Sequence, residues 1–229
     1  MEGINYEKQR YFPEWVYDPG YLPSMEDLKK LNSDQLWDDF IHHNPNGSEF
    51  QILTKEFLES FTDFLVTQIS KMEGSTIDIL EVGAGNGRLT HFLKEILSKK
   101  ITDKKLEFMA VDDFSWDDNL AGNTVPFWIK KTYDVEKVTV SDAVKKNPDV
   151  VISSWMPGGE DWTKLFRETD SVKAFILIGE EERCGTASSW EEDQNFKKFD
   201  VPVEGSVSWT NQLSPDFGSR SKAVAFIRT

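Results

Sequence analysis

The sequence predicts an α/β fold: a doubly wound, mostly parallel sheet with an antiparallel C-terminal strand pair and an N-terminal helical extension. Three observations predict it. From about residue 77 short apolar runs alternate with helical patterns, as in a parallel sheet covered by helices. One of those runs passes directly into three glycines at alternate positions, Gly83, Gly85 and Gly87, and then into an apolar helical face. Near the end the pattern changes: residues 206–210 and 223–227 are extended runs joined by a stretch with Pro215, Gly218 and serines but no helical period, which reads as an antiparallel pair.

Taken in chain order, the first segment to about Leu22 carries Tyr6, Tyr11, Phe12, Trp15, Tyr17 and Tyr21 among Pro13, Pro19 and Pro23, and reads as an irregular arm anchored by rings. Ser24 is placed to cap a helix over residues 25–31, and Ser33 another that carries Leu36, Trp37, Phe40 and Ile41. Ser48 and Gln51 have capping-box spacing for a short turn. Phe57, Phe61, Phe64 and Leu65 then share one helix face behind Thr54, a helix expected to stop near Gly74. Strands are expected at 77–82, 106–111, 137–140, 150–153 and 174–178, with Leu89, Phe92, Leu93, Ile96 and Leu97 marking the helix between the first two. With no repeat or linker in view, residues 1–76 are expected to pack as an aromatic arm and helices on a core of residues 77–229.

The charge balance is acidic, with 26 Lys+Arg against 40 Asp+Glu and a net charge of −14. Such a surface repels a phosphate backbone, which argues against nucleic acid as a partner. The basic cluster Lys99, Lys100, Lys104 and Lys105 falls where a helix end and turn would place it. A single cysteine, Cys184, excludes an intrachain disulfide and a zinc site built on several thiolates. Residues 1–15 lack a basic and then apolar leader pattern, and no apolar run is long enough for a bilayer. The expectation is a soluble cytoplasmic protein in a reducing compartment, with its oligomeric state open.

The glycine turn is the most informative segment. A strand that runs into Gly83-Ala84-Gly85-Asn86-Gly87 lets a ligand approach the backbone without Cβ obstruction. The dinucleotide pattern G-x-G-x-x-G would need a sixth-position glycine where Arg88 stands, and no Gly-Lys-Ser/Thr follows for a phosphate loop. Asp112 and Asp113, at the end of the next strand and 25 residues beyond Gly87 for the first, can accept hydrogen bonds from ribose hydroxyls.

Glu81 followed by Gly83, Gly85 and Gly87 resembles the first motif of the class I S-adenosylmethionine-dependent methyltransferases, a Rossmann-like family. The resemblance covers residues 77–179 in good order and the rest of the chain more loosely. It implies S-adenosylmethionine as cofactor, held by Glu81, Gly83, Ala84, Gly85, Asn86 and Gly87, by Asp112 and Asp113, by Asp142 and Ala143 near the adenine, and by Ser154. Asp142 reads equally well as a helix cap. The acceptor is expected beside Trp155, Met156, Pro157 and Trp162. The segment Ser153-Ser154-Trp155-Met156-Pro157 departs from the Asn/Asp-Pro-Pro-Tyr/Phe of amino-methylating members, and Gly179-Glu180-Glu181-Glu182 lacks the acid set of the magnesium-dependent type, so no metal is expected.

The implied function is methyl transfer to a small molecule or a protein side chain. A non-catalytic binding module of the same fold and an NAD-dependent oxidoreductase are the competing readings. No catalytic residue is assigned. Glu160, Asp161, Glu180, His42 and His43 are available bases, and His91 and Cys184 carry no assigned role.

Overall fold

The computed structural model describes residues 12–31, 34–47, 49–115, 129–210 and 220–229. Tyr6, Tyr11, the Ser33 cap, the Ser48 box and the Pro215 to Gly218 connection lie outside the described residues, as does the His43 side chain.

The extension comprises α1 (Met25–Leu28), α2 (Asp34–His43) and a short strand β1 (Gln51–Ile52). Ser24 caps α1 as expected, accepting from the Asp27 amide while the Asp27 carboxylate accepts from the Ser24 amide, so both orphan donors are satisfied. That helix stops at Leu28 rather than running to Leu31. Phe12, Val16, Leu28, Leu31, Trp37, Phe40 and Ile41 bury together as the extension's own core. The short strand β1 brings Ile52 into that core.

Helix α3 (Lys55–Ile69) begins at Thr54, whose hydroxyl accepts from the Phe57 amide, and ends short of Gly74. Then follow β2 (Thr76–Val82), α4 (Arg88–Lys100), β3 (Lys105–Asp112), β4 (Glu136–Lys137), α5 (Val140–Ala143), β5 (Val150–Ser154), α6 (Thr163–Glu168), β6 (Ala174–Gly179), β7 (Phe196–Val201), β8 (Val207–Ser208) and β9 (Lys222–Arg228). The seven-stranded sheet has the order β4-β3-β2-β5-β6-β9-β7, with β9 antiparallel to β6 and β7 and every other pairing parallel. This is a Rossmann-like α/β sheet. The chain leaves β2 toward β3 on one side and returns at β5 on the other, so a crevice opens at the carboxyl ends of β2 and β5.

Both faces of the central strands are covered. Ile152, Ile176 and Ile178 pack with Phe57, Phe61, Leu89 and Leu93 on one face. Val151, Phe175 and Leu177 pack with Phe166, Trp190 and Phe226 on the other. Continuous apolar runs are therefore required in β5 and β6, because alternate residues serve opposite layers.

Two strand expectations are corrected. Residues 137–140 do not form one strand: Glu136–Lys137 does, and the Thr139 hydroxyl then accepts from the Asp142 amide and starts α5. The cap there is Thr139, not Asp142. Residues 206–210 do not pair with 223–227. Val207 and Ser208 pair with Ile52 and Gln51, because Val207 is drawn into the extension's core, and β9 takes β7 as its second partner. The basic cluster is engaged locally, with Lys100 on Asp63, Lys104 on the Met72 and Gly74 carbonyls, and Lys105 on Glu107. No described helix is long and apolar enough to cross a membrane.

Candidate functional site

At the carboxyl edge of β2, β3 and β5 lies a cavity of about 730 Å³. Its first half is built by the glycine turn. Gly83, Gly85 and Gly87 have φ of 66°, 54° and 77°, the left-handed region that side chains avoid. Two of them also sit tightly against side chains: a Cβ on Gly83 would meet the Trp162 ring at 3.0 Å, and one on Gly87 would lie 2.8 Å from Val135 Cγ2. The Gly85 position is open toward Ile129, at 3.7 Å. Gly83, Ala84, Gly85 and Asn86 line the cavity, whereas Gly87 packs behind it on Val135 and Tyr133.

Glu81, near the end of β2, is buried at 3% exposure and lines the same half. Its Oε2 accepts from the Thr90 amide at 2.9 Å and from the Thr90 hydroxyl. Burial outweighs those bonds and pushes the carboxyl up to about 7, with the charge of Asp112 adding to the rise. Asp112 ends β3, and its Oδ2 accepts from the Gly85 amide at 2.9 Å while Oδ1 accepts from the Phe114 amide at 2.7 Å. The acid at the tip of one strand thus pins the turn that follows its neighbour. Asp113 is exposed and also lines the cavity.

The second half comes from β5 and from segments far away in sequence. Ser154, Trp155, Met156, Pro157 and Trp162 all line it. Trp155 has φ 58°, a costly setting for a bulky residue, of order 1–3 kcal/mol. Its ring stacks on Phe50 and meets Trp209, and its indole N–H lies 3.4 Å from Gln51 Oε1. Phe50, Gln51, Trp209, Arg183 and Cys184 complete this side. Burial pushes the Cys184 thiol up to about 11, so it stays protonated.

Arg88, the first residue of α4, bonds Glu49 and the Tyr21 carbonyl, and its guanidinium lies over Phe92. The extension is thereby fixed to the residue that follows the glycine turn.

Asp142 and Ala143 do not line the cavity. Asp142 is exposed and paired with Lys145, and Ala143 is in the core; from that segment Val138 and Val140 face the cavity instead. The reason is the Thr139 cap, which turns α5 so that the apolar side chains look inward. Of the available bases, Glu160, Asp161, Glu180 and His42 line no part of it: Asp161 is held by Thr163, Ser188 and Ser189, and Glu180 by Thr210 and Arg183. His91 stacks on Tyr133 at 3.8 Å. Among the described residues no His, Cys, Asp and Glu side chains gather as a metal site.

Glu49, Phe50, Gln51, Arg183 and Trp209 were not singled out by the sequence. Only Trp209 carries a signal there, as an aromatic residue within the expected extended run 206–210.

No family model matches the sequence, and no curated protein matches it. Solved structures similar to the chain include the CMeT domain of citrinin polyketide synthase, at 10% identity and a TM-score of 0.46 over 84% of this chain and 56% of that one. A putative class I S-adenosylmethionine-dependent methyltransferase from Listeria monocytogenes is 13% identical, with a TM-score of 0.46 over 90% of this chain and 68% of that one. Human methyltransferase-like protein 13, in complex with S-adenosylhomocysteine, is 13% identical, with a TM-score of 0.42 over 75% and 81% of the two chains. The chain spans 56%, 61% and 60% of three such structures, all carbon methyltransferases or a CMeT domain.

Proposed function

We propose that the chain is an S-adenosylmethionine-dependent methyltransferase that acts, without a metal, on a small molecule or a protein side chain. The observation that carries this reading is the arrangement of Glu81, the glycine turn and Asp112 around one half of an open cavity. The residues fit a cationic cofactor. Glu81 is a buried acid whose charge nothing positive among the described residues offsets at short range, and Asp112 and Asp113 stand at the strand tip where ribose hydroxyls would be received. Ile129, Val138 and Val140 give that half an apolar flank suited to a base.

The cofactor, when bound, supplies a methyl group on a positively charged sulfur. The chain's residues have two tasks: to hold the acceptor in line with that methyl, and to exclude water. Glu81 ionises as a positive charge arrives, which strengthens the hold on the cofactor. Trp155, Phe50 and Trp209 close the opposite side and set where an acceptor can rest. No proton acceptor on that side is needed for an acceptor that already carries a lone pair or a negative charge.

Calorimetric titration with S-adenosylmethionine, S-adenosylhomocysteine and NAD tests the reading. The first two are expected to bind, Gly85→Arg to abolish binding with the fold retained, and Asp112→Ala to weaken it about tenfold or more. Tight NAD binding with no response to the others, or unchanged affinity in both variants, would overturn it. Transfer of a labelled methyl group into a cell extract then separates an enzyme from a silent binder.

A further inference from the structure

We infer that the second half of the cavity receives a planar aromatic acid, its ring laid on the Phe50, Trp155 and Trp209 wall and its anionic group on Arg183; this rests on the cofactor reading for the first half.

The wall is assembled from three distant parts of the chain. Phe50 precedes β1, Trp155 follows β5 and Trp209 follows β8, and the Trp209 amide donates to the Phe50 carbonyl at 3.0 Å. The centroids of the three rings are 5.9 Å apart in every pair, with Phe50 and Trp155 inclined at 28° and Trp209 edge-on to Phe50 at 85°. That spacing is ring-to-ring contact, so no gap remains between them for a cation, as an aromatic cage would need. What they offer the cavity is an apolar wall of angled rings, and a flat ring is the partner that can stack on one face while meeting another edge-on.

Arg183 supplies the polar end. Its Nε lies 3.0 Å from Glu180 Oε2 in an ion pair, and its guanidinium carbon lies 5.7 Å from the Trp209 ring centroid. Glu180 is itself buried at 3% exposure and bonded on its other oxygen by the Thr210 hydroxyl. The guanidinium is therefore positioned by a fixed acid and a ring face. Its terminal nitrogens hydrogen-bond to nothing among the described residues, and the side chain is 50% exposed at the cavity edge. A planar fork held in this way suits a carboxylate.

The charges along the cavity sort the same way. Glu81, Asp112 and Asp113 lie on the glycine side, Glu49 and Arg88 are paired with each other, and Arg183 is the cation among the described lining residues on the wall side, itself paired through Nε with Glu180, which does not line the cavity. An acidic acceptor is drawn to Arg183 and also to a cationic cofactor, whereas a basic one would meet repulsion from both. The net charge of −14 opposes anions only at long range, where salt screens it beyond about 8 Å; the adjacent guanidinium decides. At about 730 Å³ the cavity lies within the usual small-molecule range of about 300–1,000 Å³.

Calorimetry with 2-naphthoate and its neutral isostere 2-naphthamide tests the inference, on the full chain with and without saturating S-adenosylhomocysteine. The acid is expected to bind at least tenfold more tightly than the amide and to do so with S-adenosylhomocysteine present. Arg183→Gln should weaken the acid by about ten- to a hundredfold and leave the amide within about threefold, while Arg183→Lys should restore part of the difference. Equal affinity for acid and amide, an unchanged acid affinity in Arg183→Gln, displacement of the acid by S-adenosylhomocysteine, or binding of neither probe would overturn it. If S-adenosylhomocysteine does not bind at all, the cofactor reading falls, and the acid-to-amide ratio without it still decides this one.

Discussion

Replacing Glu81 by Gln should make the protein more stable and a poorer cofactor binder, and the gain should depend on pH. The carboxyl stands at about 7 in the folded chain against an ordinary 4.5, because burial penalises its charge more than Thr90 rewards it. Between those two values the folded state holds a proton that the unfolded state has released. Stability from this group is thus complete below pH 4.5 and is lost as pH rises through 7. At 1.36 kcal/mol per pH unit the loss reaches about 3 kcal/mol by pH 8. The Gln variant keeps the volume and the acceptor for Thr90 but carries no charge. Thermal melts of both proteins should nearly coincide at pH 4.5 and diverge toward pH 8, where the variant should melt about 6–12 °C higher at roughly 2–4 °C per kcal/mol. Its affinity for S-adenosylmethionine should fall over the same range. Wild-type binding at pH 7 should also release a fraction of a proton, seen as a heat that varies with buffer ionisation enthalpy. Parallel melting curves from pH 4.5 to pH 8 would refute the reasoning, since the carboxyl would then be ionised at no cost.

Two further substitutions separate structure from binding. Gly87→Ala places a Cβ at φ 77° and 2.8 Å from Val135 Cγ2, so the urea midpoint should drop by the equivalent of about 1–3 kcal/mol; because Gly87 does not line the cavity, the folded fraction should keep its cofactor affinity within a few-fold. Glu49→Ala leaves the buried Arg88 guanidinium without its acid and should cost about 3–5 kcal/mol by urea titration, most of it recovered in the double variant Glu49→Leu, Arg88→Met; a single variant as stable as the parent would mean that the pair does not hold the extension.

The parts of the fold legible in the sequence are those whose pattern is local and regular. β2, β3, β5 and β6 lie within a residue of their expected bounds, and α3 and α4 lie where their apolar faces place them, because both sheet faces are covered and the apolar runs cannot be mistaken for loops. β7 was not legible: only its ends, Phe196 and Val201, are buried, and Lys197, Lys198 and Asp200 break any alternation. β8 was legible as an extended run but not as a partner of β1, since a two-residue ladder between segments more than 150 residues apart leaves no periodic trace. At the start of α5 the residue that decides is Thr139, whose hydroxyl competes for the Asp142 amide and ends the strand early.

The site divides along the same line, for a physical reason. Its glycine half is made by consecutive backbone atoms and one acid on the neighbouring strand, so spacing alone can locate Glu81, the turn and Asp112. Its aromatic half exists only after the extension, the tip of β5 and the region of β8 have met, and no short window holds Phe50, Trp155 and Trp209 together. The link between the halves is Arg88. It begins the helix that closes the turn, and it holds Glu49, whose chain neighbour Phe50 is the ring on which Trp155 stacks. The residue that spoils a dinucleotide pattern is therefore the one that ties the position of the wall to the position of the turn. The buried ion pair thus adds a tie through the extension to the one that the pairing of Val82 with Ser153 already makes between the turn and the tip of β5.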